Sequence, residues 1–308
     1  MVLSGCITPS YVTIRAYDVC HSAYVPNVAA MAIGEFLLPD GYEVPRGLRT
    51  IAREASVVPE AGRWARHATS ERIGNRRRAY VSHDRPRGNA PVMLVPGFLA
   101  GDLSLMMMSR HLRARGYRTY RADIHANVGC TLASAERLEK RIEAIAIRRE
   151  QRVTIVGHSL GGMLARGLAA RRPDIVEGIV TMGSPMVAPG AAHTLLQVAT
   201  GVLATFSAAG LRSVMSADCL RGECARESYR LSQIPLAADQ GFTAIYSQRD
   251  GVVDWRACLG DSSDTVEVTC SHIGMAIDPD VMDLVDTAIA MHAQRTADLL
   301  PAAHASAG

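Results

Sequence analysis

Short runs of aliphatic and β-branched residues alternate along this chain with longer stretches whose apolar positions recur every three or four residues. The runs are Pro91-Val92-Met93-Leu94-Val95, Arg118 to Ala122, Val153-Thr154-Ile155-Val156, Ile175 to Met182, Phe242-Thr243-Ala244-Ile245-Tyr246-Ser247 and Val266 to Val268. A run apolar at successive positions buries both of its faces, as a strand does inside a parallel sheet. The intervening stretches, Leu103 to Arg115, Ala133 to Arg149, Met163 to Ala170 and Asp278 to about Met291, predict helices. Strand and helix in alternation predict an α/β fold: a mostly parallel central sheet flanked by helices, with functional loops at the carboxyl ends of the strands.

The alternation covers residues 89–295 and is interrupted by an insertion at about 186–240. The first half of the insertion, Ala191 to Met215, is apolar and small; the second holds Cys219, Arg221, Cys224, Arg226 and Arg230. Two compatible readings follow, a helical cap over the sheet's carboxyl edge that lines an acyl pocket, or a buried helix pair. Residues 1–88 read as an N-terminal extension that packs on or covers the core. A short helix from Ala29 to Leu38 stops there before Pro39-Asp40-Gly41, and no legible chemistry follows it. Residues 296–308, rich in alanine, read as a flexible tail.

Composition narrows the function classes. Among 308 residues, 48% are hydrophobic and 33 basic residues face 30 acidic ones, a balance that argues against nucleic acid as a partner. The basic cluster between Arg63 and Arg87, with Arg76-Arg77-Arg78, reads as a solvated surface. Seven cysteines form no Cys-x-x-Cys and no Cys/His ligand pattern, so no metal is expected. Cys219 with Cys224, and Cys258 with Cys270, are near enough in sequence to bridge local loops; buried thiols are the alternative. The first residues lack the apolar core of a secretory signal, and Leu3-Ser4-Gly5-Cys6 resembles a lipoprotein box with only Met1 and Val2 before it. The longest apolar region, Leu195 to Leu211, is broken by Gln197, Thr200, Gly201, Thr205, Ser207 and Gly210. A cytoplasmic location is therefore expected, with export open to a start lying upstream.

Chemistry concentrates where the run Val153 to Val156 ends in Gly157-His158-Ser159-Leu160-Gly161-Gly162. Gly-x-Ser-x-Gly between a strand and a helix makes a tight elbow that projects the serine hydroxyl at a helix N-terminus. A hydroxyl is a weak nucleophile and needs an imidazole base, itself held by a carboxylate; in an elbow they follow in the order Ser, acid, His. Asp250 and Asp254 both follow a late strand. Asp250 lies nearer the strand end beside Gly251 and is preferred, while Asp254 reads as a helix cap before Trp255. Of His272, His292 and His304, only His272 lies in a loop directly after the last strand. The oxyanion hole requires two backbone N–H groups, those of Leu160 and Phe98; Pro96 has none to offer.

Four segments together resemble the α/β-hydrolase superfamily, and within it bacterial lipases and esterases. They are Val95-Pro96-Gly97-Phe98, Val156 to Gly162, Ile245 to Val253, and Ser271-His272-Ile273-Gly274-Met275. The resemblance implies Ser159 as nucleophile, Asp250 as acid and His272 as base, with Phe98 and Leu160 supplying the oxyanion amides. Many relatives carry His where this chain has Pro96, a side chain that often orders the oxyanion loop. The implied activity is a serine hydrolase that needs neither metal nor cofactor and cleaves a small-molecule or lipid acyl ester through an acyl-enzyme. The cap would allow transient contact with a lipid interface. A thioesterase or acyltransferase would use the same triad. From a different class, a catalytically silent hydrolase fold would serve binding alone. Acyl length and oligomeric state are not legible.

Overall fold

The computed structural model describes residues 36–78, 89–260 and 263–299. Its centre is a six-stranded sheet in the order β2-β1-β3-β4-β5-β6, every adjacent pair parallel. The strands are β1 (Pro91–Val95), β2 (Arg118–Arg121), β3 (Val153–His158), β4 (Val176–Met182), β5 (Gly241–Ser247) and β6 (Asp264–Val268). Each begins or ends within two residues of the expected limits.

The apolar runs serve both faces of this sheet. Side chains alternate along a strand, so Met93 and Val95 join Val153, Ile155 and Ile179 on one face. Val92 and Leu94 join Val156, Val180 and Met182 on the other. The first face is covered by α4 (Thr131–Arg149), through Leu138 and Ile142, and α5 (Leu160–Arg171), through Leu164 and Leu168. The second is covered by α3 (Met106–Ala114), through Met108 and Leu112, and α9 (Pro279–Leu299), through Met282, Val285 and Ile289. Burying each of these large side chains stabilises the fold by about 1.5–3 kcal/mol, an upper estimate because the unfolded chain already hides some of its surface. His292 is a core histidine: it is buried in α9, bonded to Thr243 Oγ1 at 3.0 Å, and burial pulls its pKa down to about 4.

Three features depart from expectation. The expected helix from Leu103 begins as a 3₁₀ turn (Asp102–Leu105) before α3. The closing helix continues through Thr296 to Leu299, while the rest of the expected tail, with His304, lies outside the described residues. The N-terminal extension, for which no helix beyond Leu38 is expected, forms α1 (Leu48–Arg53), a 3₁₀ turn (Glu54–Ser56) and α2 (Val57–Arg78). The last shows no clear apolar period because its arginines and glycines dilute any apolar stripe; its Pro59 sits in the first turn, where no helical N–H is lost. Most of the expected Ala29 to Leu38 helix lies outside the described residues.

Between β4 and β5 stand α6 (Thr194–Ala208), α7 (Ala217–Arg221) and α8 (Glu223–Gln233). This insertion is stitched to the loop after β5: His193 N–H donates to Val252 O at 2.7 Å and Asp254 N–H to Ala191 O at 2.9 Å.

Candidate active site

Ser159 stands between the end of β3 and the start of α5 with φ 52° and ψ −121°. A non-glycine residue held there stores about 1–3 kcal/mol of backbone strain. The turn closes only because its flanks lack side chains: a Cβ at Gly157 would run into the Gly162 backbone, and one at Gly161 into the carbonyl of Val95. Ser159 N–H donates to Met182 O at 2.8 Å, which ties the turn to the end of β4.

Asp250 and His272 come together from the loops after β5 and β6. The His272 Nδ1–H donates to Asp250 Oδ2 at 2.6 Å, and both residues are buried. The other carboxylate oxygen of Asp250 accepts from the N–H groups of Val252 and Val253, each at 2.7 Å. The carboxylate is thereby locked in one orientation. Burial pushes the His272 imidazole down, but the charge and hydrogen bond of Asp250, aided by the charge of Glu54, outweigh it, and the pKa lies above the ordinary histidine value. Asp254 is turned away from this pair. It caps the 3₁₀ turn Trp255–Cys258 through Arg256 N–H (3.1 Å) and pairs with the Arg256 guanidinium (2.8 Å).

The residue before the serine adds a contact the sequence did not announce. His158 Nε2 lies 2.9 Å from His272 O, and the two rings pack with centroids 4.8 Å apart. A carbonyl only accepts, so Nε2 of His158 carries the proton. Burial, reinforced by the nearby His272, pulls the His158 pKa down to about 4, so the ring is neutral near pH 7.

Two carboxylates from the N-terminal segment reach the same loops. Glu54 Oε1 accepts from Gly251 N–H (2.9 Å) and His272 N–H (3.1 Å), and its Oε2 accepts from Ile273 N–H (3.0 Å). Glu60 accepts from the N–H (2.8 Å) and hydroxyl (2.7 Å) of Ser271. Glu54 thus joins the loop of Asp250 to the loop of His272 through backbone groups that neither strand ladder satisfies. Nothing in a lone Glu54 or Glu60 signals this, because their partners lie roughly two hundred residues away in sequence.

Around the turn after β1, Leu99 N–H donates to Asn127 O (3.2 Å) and Asn127 N–H to Ala100 O (2.9 Å). The Asn127 side chain, buried, donates to Pro96 O at 2.8 Å. Asn127 therefore orders the loop after β1. The Phe98 N–H is not engaged by these bonds, and Leu160, the first residue of α5, has an N–H with no acceptor inside the helix.

Phe98, Ser159 and Leu160 line one cavity of about 570 Å³. Its walls are mostly apolar and come from the insertion (Leu196, Met215, Tyr229) and from Leu37 and Leu38 of the N-terminal segment. Asp250 and His272 do not line it, and no hydrogen bond joins Ser159 Oγ to His272 among the described residues. Such contacts are commonly loose before substrate binds.

Comparisons with known proteins bear on the fold. The family model for the alpha/beta hydrolase fold matches residues 90–209. A pyrethroid hydrolase of Sphingobium wenxiniae is 31% identical over 84 residues, spanning 26% of this chain and only 30% of the relative. The crystal structure of a Bacillus licheniformis lipase in its mature form aligns with a TM-score of 0.52 at 14% identity, covering 68% of this chain and 95% of that one.

Proposed function

The chain has the α/β-hydrolase fold and resembles bacterial lipases and esterases, and from that premise we propose that it cleaves carboxylic esters through an acyl-enzyme on Ser159. The observation that carries this reading is the buried 2.6 Å bond between His272 and Asp250, formed by loops at the carboxyl ends of adjacent strands of the same sheet that carries Ser159 on its strained turn.

With its Nδ1–H committed to Asp250, His272 presents Nε2 as the acceptor. As the Ser159 hydroxyl attacks an ester carbonyl, His272 takes its proton; Asp250 stabilises the imidazolium and holds its tautomer. The N–H groups of Phe98 and Leu160 are the donors assigned to the tetrahedral oxyanion, Leu160 with the added field of the α5 N-terminus. His272 then protonates the leaving alcohol. Water, deprotonated by the same imidazole, releases the acid and restores the serine. The apolar cavity favours an acyl or alcohol group of appreciable hydrophobic area. The outer face of α6 exposes Leu195, Val198, Val202 and Phe206, which supports a transient contact of the insertion with a lipid interface. Among the described residues, no helix is long and apolar enough to cross a membrane. The pyrethroid hydrolase and lipase matches support hydrolysis of an ester, and neither specifies which one.

The test is a fluorophosphonate probe applied to wild type and Ser159→Ala side by side, with the labelled peptide identified by mass spectrometry. Label on Ser159 in wild type alone, together with turnover of an ester length series that the variant lacks, is the expected result. A folded wild type that takes no label would return the fold to a binding role.

A further inference from the structure

We propose that Cys130, Cys219 and Cys224 form a binding site for one thiophilic divalent cation of the zinc class, bridging the core to the insertion. The three Sγ atoms all lie within 4.8 Å of one another, and those of Cys130 and Cys224 are 3.4 Å apart. A tetrahedral zinc ion with Zn–S bonds of about 2.3 Å sets its sulfurs about 3.8 Å apart, so the three thiols need only small movements to share one ion.

The ligands come from separate parts of the fold. Cys130 directly precedes α4 in the loop after β2, while Cys219 belongs to α7 and Cys224 to the first turn of α8. Cys130 and Cys224 are 94 residues apart, which is why local spacing suggests no ligand pattern. Two hydroxyls stand around the sulfurs: Ser216 Oγ is 3.5 Å from Cys219 Sγ and Thr131 Oγ1 is 3.9 Å from Cys224 Sγ. Both can donate to a bound thiolate, the role that outer partners commonly play around metal ligands. The remaining two described cysteines, Cys258 and Cys270, are fully buried and take no part.

Binding converts three thiols and a dication into a tris-thiolate complex of net charge −1, with three protons released to solvent. Solvent supplies the fourth ligand. Because Thr131 and Cys219 also line the cavity that reaches Ser159, the ion would fasten a wall of that cavity to the sheet.

The experiment uses the full chain, reduced and stripped with chelator. Zn²⁺ is titrated against a chromophoric competitor, and Cd²⁺ is followed by its ultraviolet thiolate charge-transfer band. One ion per chain is expected, with proton release in weak buffer and a rise in melting temperature. Cys130→Ser, Cys219→Ser and Cys224→Ser should each abolish uptake, although every variant keeps Cys6, Cys20, Cys258 and Cys270. Should a variant fail to fold, alkylation of wild type answers instead: Zn²⁺ should protect these three cysteines together. The proposal is overturned by a folded wild type with no saturable uptake, by uptake unchanged in all three variants, by alkylation indifferent to Zn²⁺, or by a Cys130–Cys224 disulfide in protein isolated without reductant.

Discussion

Burial and charge pull the His272 imidazole in opposite directions, and the charge wins. As a base it must be neutral, so ester turnover should be lost as pH falls through a pKa above the ordinary value of about 6.5. His158, held near 4, is already neutral over that range. The acid limb of kcat/KM should therefore fall with a slope of one, centred above pH 6.5; a slope of two would bring in a second essential group. The same shift has a stability consequence of opposite sense. A raised folded pKa stabilises the native state below the unfolded value, and that contribution disappears as pH rises through the folded pKa. The two aspartates separate just as sharply. Asp250→Asn leaves the size of the side chain but disrupts the tautomer of His272 and should lower kcat by about 10³–10⁴-fold. Asp254→Asn touches the cap, the Arg256 pair and the bond from Glu43 N–H, none of which involves His272, so near-normal turnover is expected with a loss of at most about 1–2 kcal/mol in urea unfolding. The reverse ranking in steady-state kinetics would move the acid by four residues.

At the scale of elements, the site depends on close approaches that have no slack. The α5 N-terminus passes so near β1 that a methyl group at Gly161 meets the Val95 carbonyl. Gly161→Ala should cost about 1–3 kcal/mol of stability, as overpacking does, and should shift the loop bearing Phe98. A variant that unfolds with the wild-type urea midpoint and turns over normally would show that the turn is looser than it looks. Glu54 works across a wider gap, since one carboxylate accepts three N–H groups from two loops. Glu54→Gln replaces an acceptor oxygen with an amide that faces those donors. It also removes a negative charge that helps to raise the His272 pKa. Turnover should fall by as much as about 10²-fold, mainly in kcat, and the acid limb should move to lower pH. Loss of stability with an unmoved limb would make Glu54 a structural brace only.

For the whole molecule, the N-terminal segment is the part whose contribution is least expected. It supplies Glu54 and Glu60 to the loops of Asp250 and His272, Leu37 and Leu38 to the cavity, and Arg63 to a pair with Asp278 at the start of α9. A chain beginning at Asn89 would leave the buried N–H groups of Gly251, Ser271 and His272 without these acceptors, at about 1–3 kcal/mol each. It should melt at a lower temperature and lose most ester turnover in the same assay; unchanged values for both would make the segment dispensable. The division between sequence and structure follows the range of the interactions. Strands, helices and their alternation were legible because continuous apolar runs and helical apolar periods record burial within one element, and the short β1 and β3 runs are buried on both faces. Ser159, Asp250 and His272 could be nominated for a related reason: each stands at the end of a legible strand, where the fold class itself places functional loops. Helix α2 hides its period among arginines and glycines, whereas the grip of Glu54 and Glu60, the Asn127 clasp on Pro96 and the meeting of three cysteines left no such mark. They are long-range encounters of single polar side chains with backbone groups or with each other, and a polar residue reads alike in sequence whether it faces water or a buried N–H. Tertiary structure alone decided those, because only the packed sheet brings residues from opposite ends of the chain within hydrogen-bonding distance.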